Sequence, residues 1–100
     1  MNSHENFDRV KQNAQNAPPL GHTIKITTEL QHIYIDGLAA FNEVTKENHS
    51  ASCELYLSEN VLHQILMGQL DPLTGVIGGK IKINGDMNIA LKLNKILKNS

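Results

Sequence analysis

The segment at residues 86–97, DMNIALKLNKIL, constrains the fold of this chain more than any other. At about 100° of rotation per residue, a helix here carries apolar side chains over an arc of about 220°. A helix that rests on one sheet needs an apolar stripe about half as wide. A second helix, a second subunit or a bound apolar ligand must therefore cover the remainder. The apolar residues of the arc are Met87, Ile89, Ala90, Leu91, Leu93, Ile96 and Leu97.

Ahead of this helix, apolar residues recur with the two-residue period of β-strands. In a first strand from Thr23, we expect Ile24, Ile26, Thr28 and Leu30 to face the same side. The join that follows lacks the Gly or Asn that a two-residue hairpin prefers, so the register with the next strand stays open. The later predicted strands contain residues 32–36, 44–45, 51–57 and 80–84.

Three helices are predicted before the last one. Residues 6–15 form a short helix that Pro18 and Pro19 stop. Ser58 is an N-cap ahead of a helix that ends at Gly68, and residues 71–72, Asp-Pro, start a shorter one. The order of strands and helices predicts an α+β fold with one mostly antiparallel sheet and helices on one side.

One hundred residues suit a single domain. We expect residues 1–20 to be a short helix or flexible segment and residues 21–100 to form the domain. Cys53 is the single cysteine, no signal-peptide pattern opens the chain, and no window approaches the ~20 apolar residues of a membrane span. The C-terminal KNS is not a peroxisomal signal, so the expected location is the cytoplasm.

The formal net charge of −1 argues against nucleic acid as a partner, because phosphate binding needs a concentrated basic face. The charge is nevertheless uneven. From Asp71 onward two acids accompany five lysines, which indicates either a solvated face or weak attraction to an anionic membrane surface. These lysines are Lys80, Lys82, Lys92, Lys95 and Lys98.

No catalytic or metal-binding pattern emerges, and we predict no cofactor and no enzymatic activity. The five histidines are scattered without metal-ligand spacing. The run GVIGGKI departs from a phosphate-binding loop in its spacing, and Ile81 stands where Ser or Thr is needed. Glu43, Glu47 and His49 belong to a polar turn, and Cys53 is predicted to be a small buried hydrophobe.

The chain from residue 44 onward resembles the sterol carrier protein type 2 (SCP-2) family in a short stand-alone form. The matching fragments are VTKENHSASCELYLS, SENVLHQILMGQLDP and GGKIKINGDMNIALKLNKIL. Their order and spacing match that family's strand–turn–strand unit, its Gly-terminated helix before Asp-Pro, and its last strand and helix. The resemblance implies a five-stranded sheet covered by helices, with an apolar tunnel that binds sterols, fatty acids, acyl-CoAs or phospholipids.

On this resemblance, the predicted lipid-binding residues are the apolar wall positions of the tunnel. Gly79 and Gly85 are interpreted as backbone turns that bound the last strand. The family often has a bulky residue after the Asp-Pro turn, where this chain has Gly75 and Val76. If that site lines the cavity, either a roomier cavity or a different ligand is expected. The predicted wall residues are Leu62, Leu66, Val76, Ile77, Ile81, Ile83, Met87, Ala90, Leu91 and Leu97.

Two functions are compatible with these features. The first is a lipid carrier, acting as a monomer or weak homodimer. The second is a non-catalytic accessory protein of the same fold that holds an isoprenoid or quinone intermediate or a partner enzyme. A small enzyme remains a third possibility only if a partner supplies the chemistry.

Overall fold

The structure, a computed structural model, describes residues 3–97. Its strands are β1 (Thr23–Thr27), β2 (His32–Asp36), β3 (Glu43–Thr45), β4 (Cys53–Tyr56) and β5 (Lys82–Gly85). Its helices are α1 (Ser3–Gln15), α2 (Glu59–Leu66), α3 (Pro72–Ile77), α4 (Met87–Lys92) and α5 (Asn94–Leu97). The expected order of strands and helices is confirmed.

The five strands form one mixed sheet in the order β3-β2-β1-β4-β5. Neighbours pair antiparallel except β1 and β4, which are parallel. This confirms the α+β fold with a mostly antiparallel sheet. The segment between β3 and β4 crosses the sheet, and its residues touch side chains of β1 and β2. Lys25 Nζ donates to Asn48 Oδ1 at 2.8 Å, and the rings of His49 and Tyr34 meet edge to face.

The other face of the sheet carries the core. Ile24, Ile26, Ile33 and Ile35 alternate with polar residues along β1 and β2, and each is fully buried. Helices α1, α2, α4 and α5 supply the apolar side chains that pack over them. The two-residue period of the sequence therefore predicted the buried faces of β1 and β2 correctly.

The prediction for Leu30 was wrong, because β1 ends at Thr27 and Leu30 is 59% exposed. Thr28 begins a tight turn, and its backbone N–H donates to the carbonyl of Gln31 at 2.9 Å. The Thr28 hydroxyl accepts hydrogen bonds from the backbone N–H groups of Leu30 and Gln31. A threonine hydroxyl thus stabilises a hairpin turn that has neither Gly nor Asn.

The N-terminal helix α1 is longer than expected and contributes to the core. Phe7, Val10 and Ala14 are buried, with exposed fractions of 8%, 0% and 0%. The carbonyl of Ile96 in α5 accepts a 2.7 Å hydrogen bond from Asn13 Nδ2. The helix therefore packs across both the second helix and the C-terminal end of the described chain.

The expected last helix is divided at Leu93 into α4 and α5. Ile89, Leu93, Ile96 and Leu97 are buried. Met87 and Leu91, on the remaining part of the apolar arc, are 46% and 48% exposed. The surplus apolar surface that the sequence predicted is therefore real, and no described residue covers it completely.

Candidate functional site

The surplus apolar surface belongs to a groove between α3 on one side and α4 and α5 on the other. Strands β4 and β5 contribute to its floor through side chains on the helix-covered face of the sheet. The lining residues are Leu55, Pro72, Leu73, Val76, Ile81, Ile83, Met87, Ala90, Leu91, Asn94 and Leu97. Among them, Asn94 alone is polar and none is charged, so the groove offers apolar surface with one amide.

Burial increases from the rim of the groove to its floor. Leu73, Met87 and Leu91 at the rim are 49%, 46% and 48% exposed. Leu55 and Leu97 at the floor are 4% and 1% exposed. Between them lie partly buried walls of Val76, Ile83 and Ala90. Apart from Asn94, the lining of the groove is thus apolar from the core to the solvent, and the lining residues of α3 and α4 at its rim are apolar too.

Two aspartates fix the helices that border the groove. The Asp71 carboxylate accepts hydrogen bonds from the N–H groups of Leu73 and Thr74 at the start of α3. The Asp86 carboxylate accepts one from the N–H of Asn88 at the start of α4. Each N-cap satisfies backbone donors that a short helix leaves unpaired, and it sets where the helix begins. The cap at Asp71 agrees with the sequence prediction, whereas Asp86 was predicted only as the first residue of the last helical segment.

Gly75 allows α3 to pack closely against Ile81, the residue before β5. A Cβ at this position would lie 2.7 Å from Ile81 Cδ1 and 3.1 Å from Ile81 Cγ1. The Ile81 side chain therefore fills the space beside Gly75. The free volume of the groove is only about 30 Å3, about a tenth of the smallest volume usual for small-molecule sites. The roomier cavity expected from Gly75 and Val76 is therefore absent from this conformation.

Gly85 places the last strand against β4. Its φ is +124°, and a Cβ would lie 2.5 Å from the Ser52 carbonyl oxygen and 3.0 Å from Cys53 Cα. Gly79 also has a positive φ, of 77°. The interpretation of these two glycines as backbone turns that bound the strand is confirmed, because L-residues rarely adopt such angles.

The structure brings most of the predicted wall residues to this one groove and places three elsewhere. Leu62 and Leu66 face the core from α2, with exposed fractions of 0% and 5%. Ile77, at the end of α3, is 80% exposed and projects to solvent outside the groove. Those that line the groove are Val76, Ile81, Ile83, Met87, Ala90, Leu91 and Leu97.

Four further lining residues were not predicted. Leu55 belongs to the predicted strand at residues 51–57, and Pro72 was interpreted only as a helix start. Leu73 lies three positions before Val76, so helical spacing could have identified it. When residues 87–97 are projected at 100° per residue, Asn94 falls between Met87 and Ala90, within the apolar arc. It was not predicted as a lining residue because its side chain is polar.

The polar groups elsewhere pair with one another. Glu54, on the outer face of the sheet, accepts a 2.5 Å hydrogen bond from Tyr56 and lies 3.2 Å from Lys25 Nζ. These contacts lower the pKa of the Glu54 carboxyl, and the same bond raises the pKa of Tyr56. His49 contacts Glu47 at 2.6 Å in the exposed crossing segment. Within residues 3–97, no three His, Cys, Asp or Glu side chains gather as metal ligands.

Cys53 is fully buried on the core side of β4, as predicted. Burial raises the pKa of its thiol, and the negative charges of Asp86 and Glu54 raise it further. Such a thiol stays protonated at neutral pH and is a poor nucleophile. The structure assigns it a packing role beneath Gly85, its partner in β5.

The fold and groove together define a small α+β domain with an apolar groove beside β5, at one edge of its sheet. The chain belongs to the SCP-2 sterol transfer family, whose match covers residues 7–98. None of the helices described for residues 3–97 is both long and apolar enough to cross a membrane. The family resemblance drawn from residues 44–97 is confirmed, and it extends to α1.

Individual relatives agree with this assignment. Sterol carrier protein 2 of Bos taurus is 35% identical over 46 residues, which are 46% of this chain and 8% of the bovine protein. The chain thus corresponds to a small part of that relative's length. The apo form of sterol carrier protein 2 from Yarrowia lipolytica superposes with a TM-score of 0.72 and 21% identity, covering 94% of this chain and 90% of that one.

A ubiquinone synthesis protein, UbiJ-SCP2, has the same fold. Its TM-score is 0.67 at 13% identity, and the match covers 95% of this chain and 87% of that one. At this identity the likeness concerns the fold alone. The fold is therefore shared by proteins whose names point to different roles.

Proposed function

We propose that this chain binds an apolar lipid in the groove and transfers it, without catalysing a reaction. The candidate ligands are a fatty acid, an acyl-CoA, a sterol-like molecule or a phospholipid, and the proposed location is the cytoplasm. One observation carries the proposal: an uncharged groove extends from a half-exposed apolar rim to a fully buried floor. Each methylene buried there stabilises the complex by ~0.8 kcal/mol.

Uptake of such a ligand requires the groove to widen. Sites for small molecules enclose on the order of 300 Å3 or more, whereas the free volume here is about 30 Å3. The walls that can separate are α3, which is six residues long, and α4 and α5, which are divided at Leu93. We propose that ligand binding stabilises a conformation in which these walls are further apart.

Asn94 is the proposed contact for the polar end of the ligand. Its amide lies among apolar lining residues, and a few polar groups in an apolar site fix a ligand's orientation. An amide both donates and accepts hydrogen bonds, so it can bind a carboxylate, an ester or a sterol hydroxyl.

A second candidate function is that of an accessory protein, which holds an isoprenoid or quinone intermediate or a partner enzyme. The likeness to the UbiJ-SCP2 fold is consistent with this alternative. The same groove would serve, since an isoprenoid chain is also apolar. The two functions differ in whether the cargo is released to membranes or retained in a protein complex.

Native mass spectrometry of the purified protein, followed by organic extraction, tests the proposal. We expect a lipid adduct and displacement of a fluorescent fatty acid by the extracted lipid. Leu91→Asp should abolish both, because a carboxylate would enter the apolar wall. The matched control is Leu38→Asp, which alters a residue that is 68% exposed and outside the groove.

Two results would contradict the carrier function. One is an empty protein that binds no fluorescent fatty acid but forms a stable complex with another protein, which would favour the accessory role. The other is equal loss of lipid binding in the Leu91 and Leu38 variants, since that would place the ligand outside the groove.

A further inference from the structure

Strand β3 lies at the edge of the sheet opposite to the edge that borders the apolar groove. In antiparallel pairs, successive residues direct their backbone N–H and C=O groups alternately toward and away from the neighbouring strand. The hydrogen bond from the Thr28 N–H to the Gln31 carbonyl fixes this alternation in β1 and β2, and the strand registers extend it to β3. The N–H and C=O of Val44 therefore point away from the sheet, where no strand described within residues 3–97 lies beside them.

A second groove, the edge groove, runs along this free edge between β3 and helix α1. Lys11 and Gln15 of α1 line one wall, and Val44 lines the other. Phe41, which precedes β3 and is 60% exposed, adds a large apolar side chain to the lining. The free volume of the edge groove is about 400 Å3, and small-molecule sites enclose on the order of 300 Å3 or more. The edge groove therefore has room for side chains of a bound segment.

Helix α1 and strand β3 are held in fixed positions relative to each other. The buried side chain of Asn42 donates a hydrogen bond to the Ala14 carbonyl at 3.0 Å and accepts one from the Leu20 N–H at 2.9 Å. At the other end of β3, Lys46 Nζ lies 4.8 Å from the centroid of the Phe7 ring. The edge groove is thus preformed, so that a partner loses less free energy to the ordering of this chain.

The outer face of the sheet is acidic at this edge. Asp36 in β2 and Glu43 in β3 lie directly opposite each other, where like charges destabilise a strand pair. Within residues 3–97, neither carboxylate forms an ion pair. Glu47 adds a further carboxylate to the lining of the edge groove. A cationic side chain beside Glu43 would relieve the repulsion, so this edge favours a basic partner.

We propose that the edge groove binds an extended peptide segment of a partner protein, which pairs with β3 as an additional strand. The peptide residue opposite Val44 forms two backbone hydrogen bonds with it and directs its side chain toward α1, because paired residues share a face of the sheet. The next residue along the peptide faces outward beside Glu43. The fitting sequence therefore alternates apolar residues, which contact Phe41 and the helix wall, with Lys or Arg.

Other occupants fit this edge less well. Antiparallel pairing of two copies of this chain about Val44 would bring both copies of Asp36 and Glu43 to one interface, so that like charges approach. A lipid would cover the charged side chains of Lys11 and Glu47, which line the edge groove, and covering charges with hydrocarbon is costly. The peptide site does not depend on the proposed lipid-binding function, since the two grooves lie at opposite edges of the sheet.

Selection from a library of short random peptides displayed on phage, with the whole chain immobilised, tests the peptide site. We expect enrichment of sequences in which apolar residues alternate with Lys or Arg. Phe41→Ser should weaken binding of the selected synthetic peptide about tenfold, through loss of apolar contact. The matched control is Leu38→Ser, because Leu38 is 68% exposed in the same β2–β3 connection but outside the edge groove. Failure to enrich such sequences, or equal loss in both variants, would overturn the proposal.

N-methylation of the selected peptide, one residue at a time, tests strand pairing. A methyl group on the residue opposite Val44 removes a backbone hydrogen bond and should weaken binding about tenfold. The N–H groups of the two adjacent residues point away from β3, so their methylation should change the affinity much less. Equal effects at these neighbouring positions would show that the peptide does not pair as a strand.

Glu43→Lys tests the charge preference. This variant should bind the selected peptide about tenfold more weakly and should prefer a version in which Glu replaces each Lys or Arg. Its fold is expected to be intact, because Glu43 is exposed and the new lysine faces Asp36. An unchanged preference for the basic peptide would contradict the assigned partner chemistry.

Two further measurements distinguish the peptide from other occupants. Fluorescent fatty acid binding should be normal in Phe41→Ser and Glu43→Lys, and loss of fatty acid binding in either variant would make the edge groove a lipid site instead. Analytical ultracentrifugation of the original chain should show no dimer that Phe41→Ser abolishes, since such a dimer would assign the edge to a second copy. Peptide binding by a chain that binds no fatty acid would support the peptide site and contradict the carrier function.

Discussion

The side-chain amide of Asn6 donates a 2.7 Å hydrogen bond to the carboxylate of Glu59, although 53 positions separate the two residues. Both side chains are buried, with exposed fractions of 0% and 1%. The same carboxylate accepts hydrogen bonds from Thr28 Oγ1 at 2.7 Å and from Gln31 Nε2. One buried acid therefore ties together α1, α2 and the turn between β1 and β2.

Replacement of Asn6 by Ala should destabilise the fold by about 2 kcal/mol, because a buried carboxylate loses a donor. The amide also contacts the ring of His63 through its oxygen at 3.0 Å, so that link is lost as well. Urea unfolding followed by circular dichroism measures the change. Asn60→Ala, at an exposed position of α2, is the control. Equal midpoints for the two variants would contradict the structural role of the Asn6–Glu59 bond.

Asn94→Leu should change ligand preference more than stability. The substitution removes the one polar side chain from the groove lining, so a fatty acid loses a hydrogen bond while a hydrocarbon gains apolar contact. We expect affinity for a fatty acid to fall about tenfold relative to that for an alkane of equal length. Competition against a fluorescent probe gives both affinities. An unchanged ratio would remove Asn94 from the proposed site.

Gly75→Ala should move the Ile81 side chain, because the new Cβ would lie 2.7 Å from Ile81 Cδ1. The displaced side chain lines the groove, so we expect altered affinity for the fluorescent fatty acid. Ala also favours the helix by about 1 kcal/mol over Gly, which partly offsets the crowding. Gly68→Ala is not a suitable control because of its positive φ of 75°. Thr74→Ala, exposed on the same helix, is suitable.

The Cys53 thiol should react slowly with Ellman's reagent at pH 8 and rapidly in urea. Burial raises the pKa of this thiol, and the charges of Asp86 and Glu54 act in the same direction. The thiolate fraction is therefore small in the folded state. Cys53→Ser should cost about 1–3 kcal/mol through burial of a hydroxyl and should leave lipid binding largely intact. A folded Cys53→Ser variant without lipid binding would contradict the packing role.

Periodicity in the sequence predicted the buried faces of β1, β2 and β4 and the excess apolar arc of the last helix. These features depend on local repeats, since apolar side chains separate from polar ones at the period of each element. The N-caps Ser58 and Asp71 were predicted from signals that are equally local. Each accepts a hydrogen bond from an N–H two or three residues later.

Features that depend on distant residues were not predicted. The residues next to Glu59 in sequence give no sign of its partners, which lie on α1 and the β1–β2 turn. The division at Leu93 does not interrupt the apolar pattern, so periodicity shows no sign of it. Ile77 matches the apolar spacing of α3, yet its exposure depends on how that helix is set against β5. Such tertiary arrangements leave no local signal.

The parallel pairing of β1 with β4 has a consequence for how the chain is made. Ile24 in β1 pairs with Cys53, 29 positions later, so one edge of β1 lacks its neighbour until the middle of the chain has left the ribosome. During that interval β1 is an edge strand of the β1–β2–β3 meander and carries Ile24 and Ile26, so its free edge is a template for association with other nascent chains. Completion of β4 converts this vulnerable edge into the centre of the sheet.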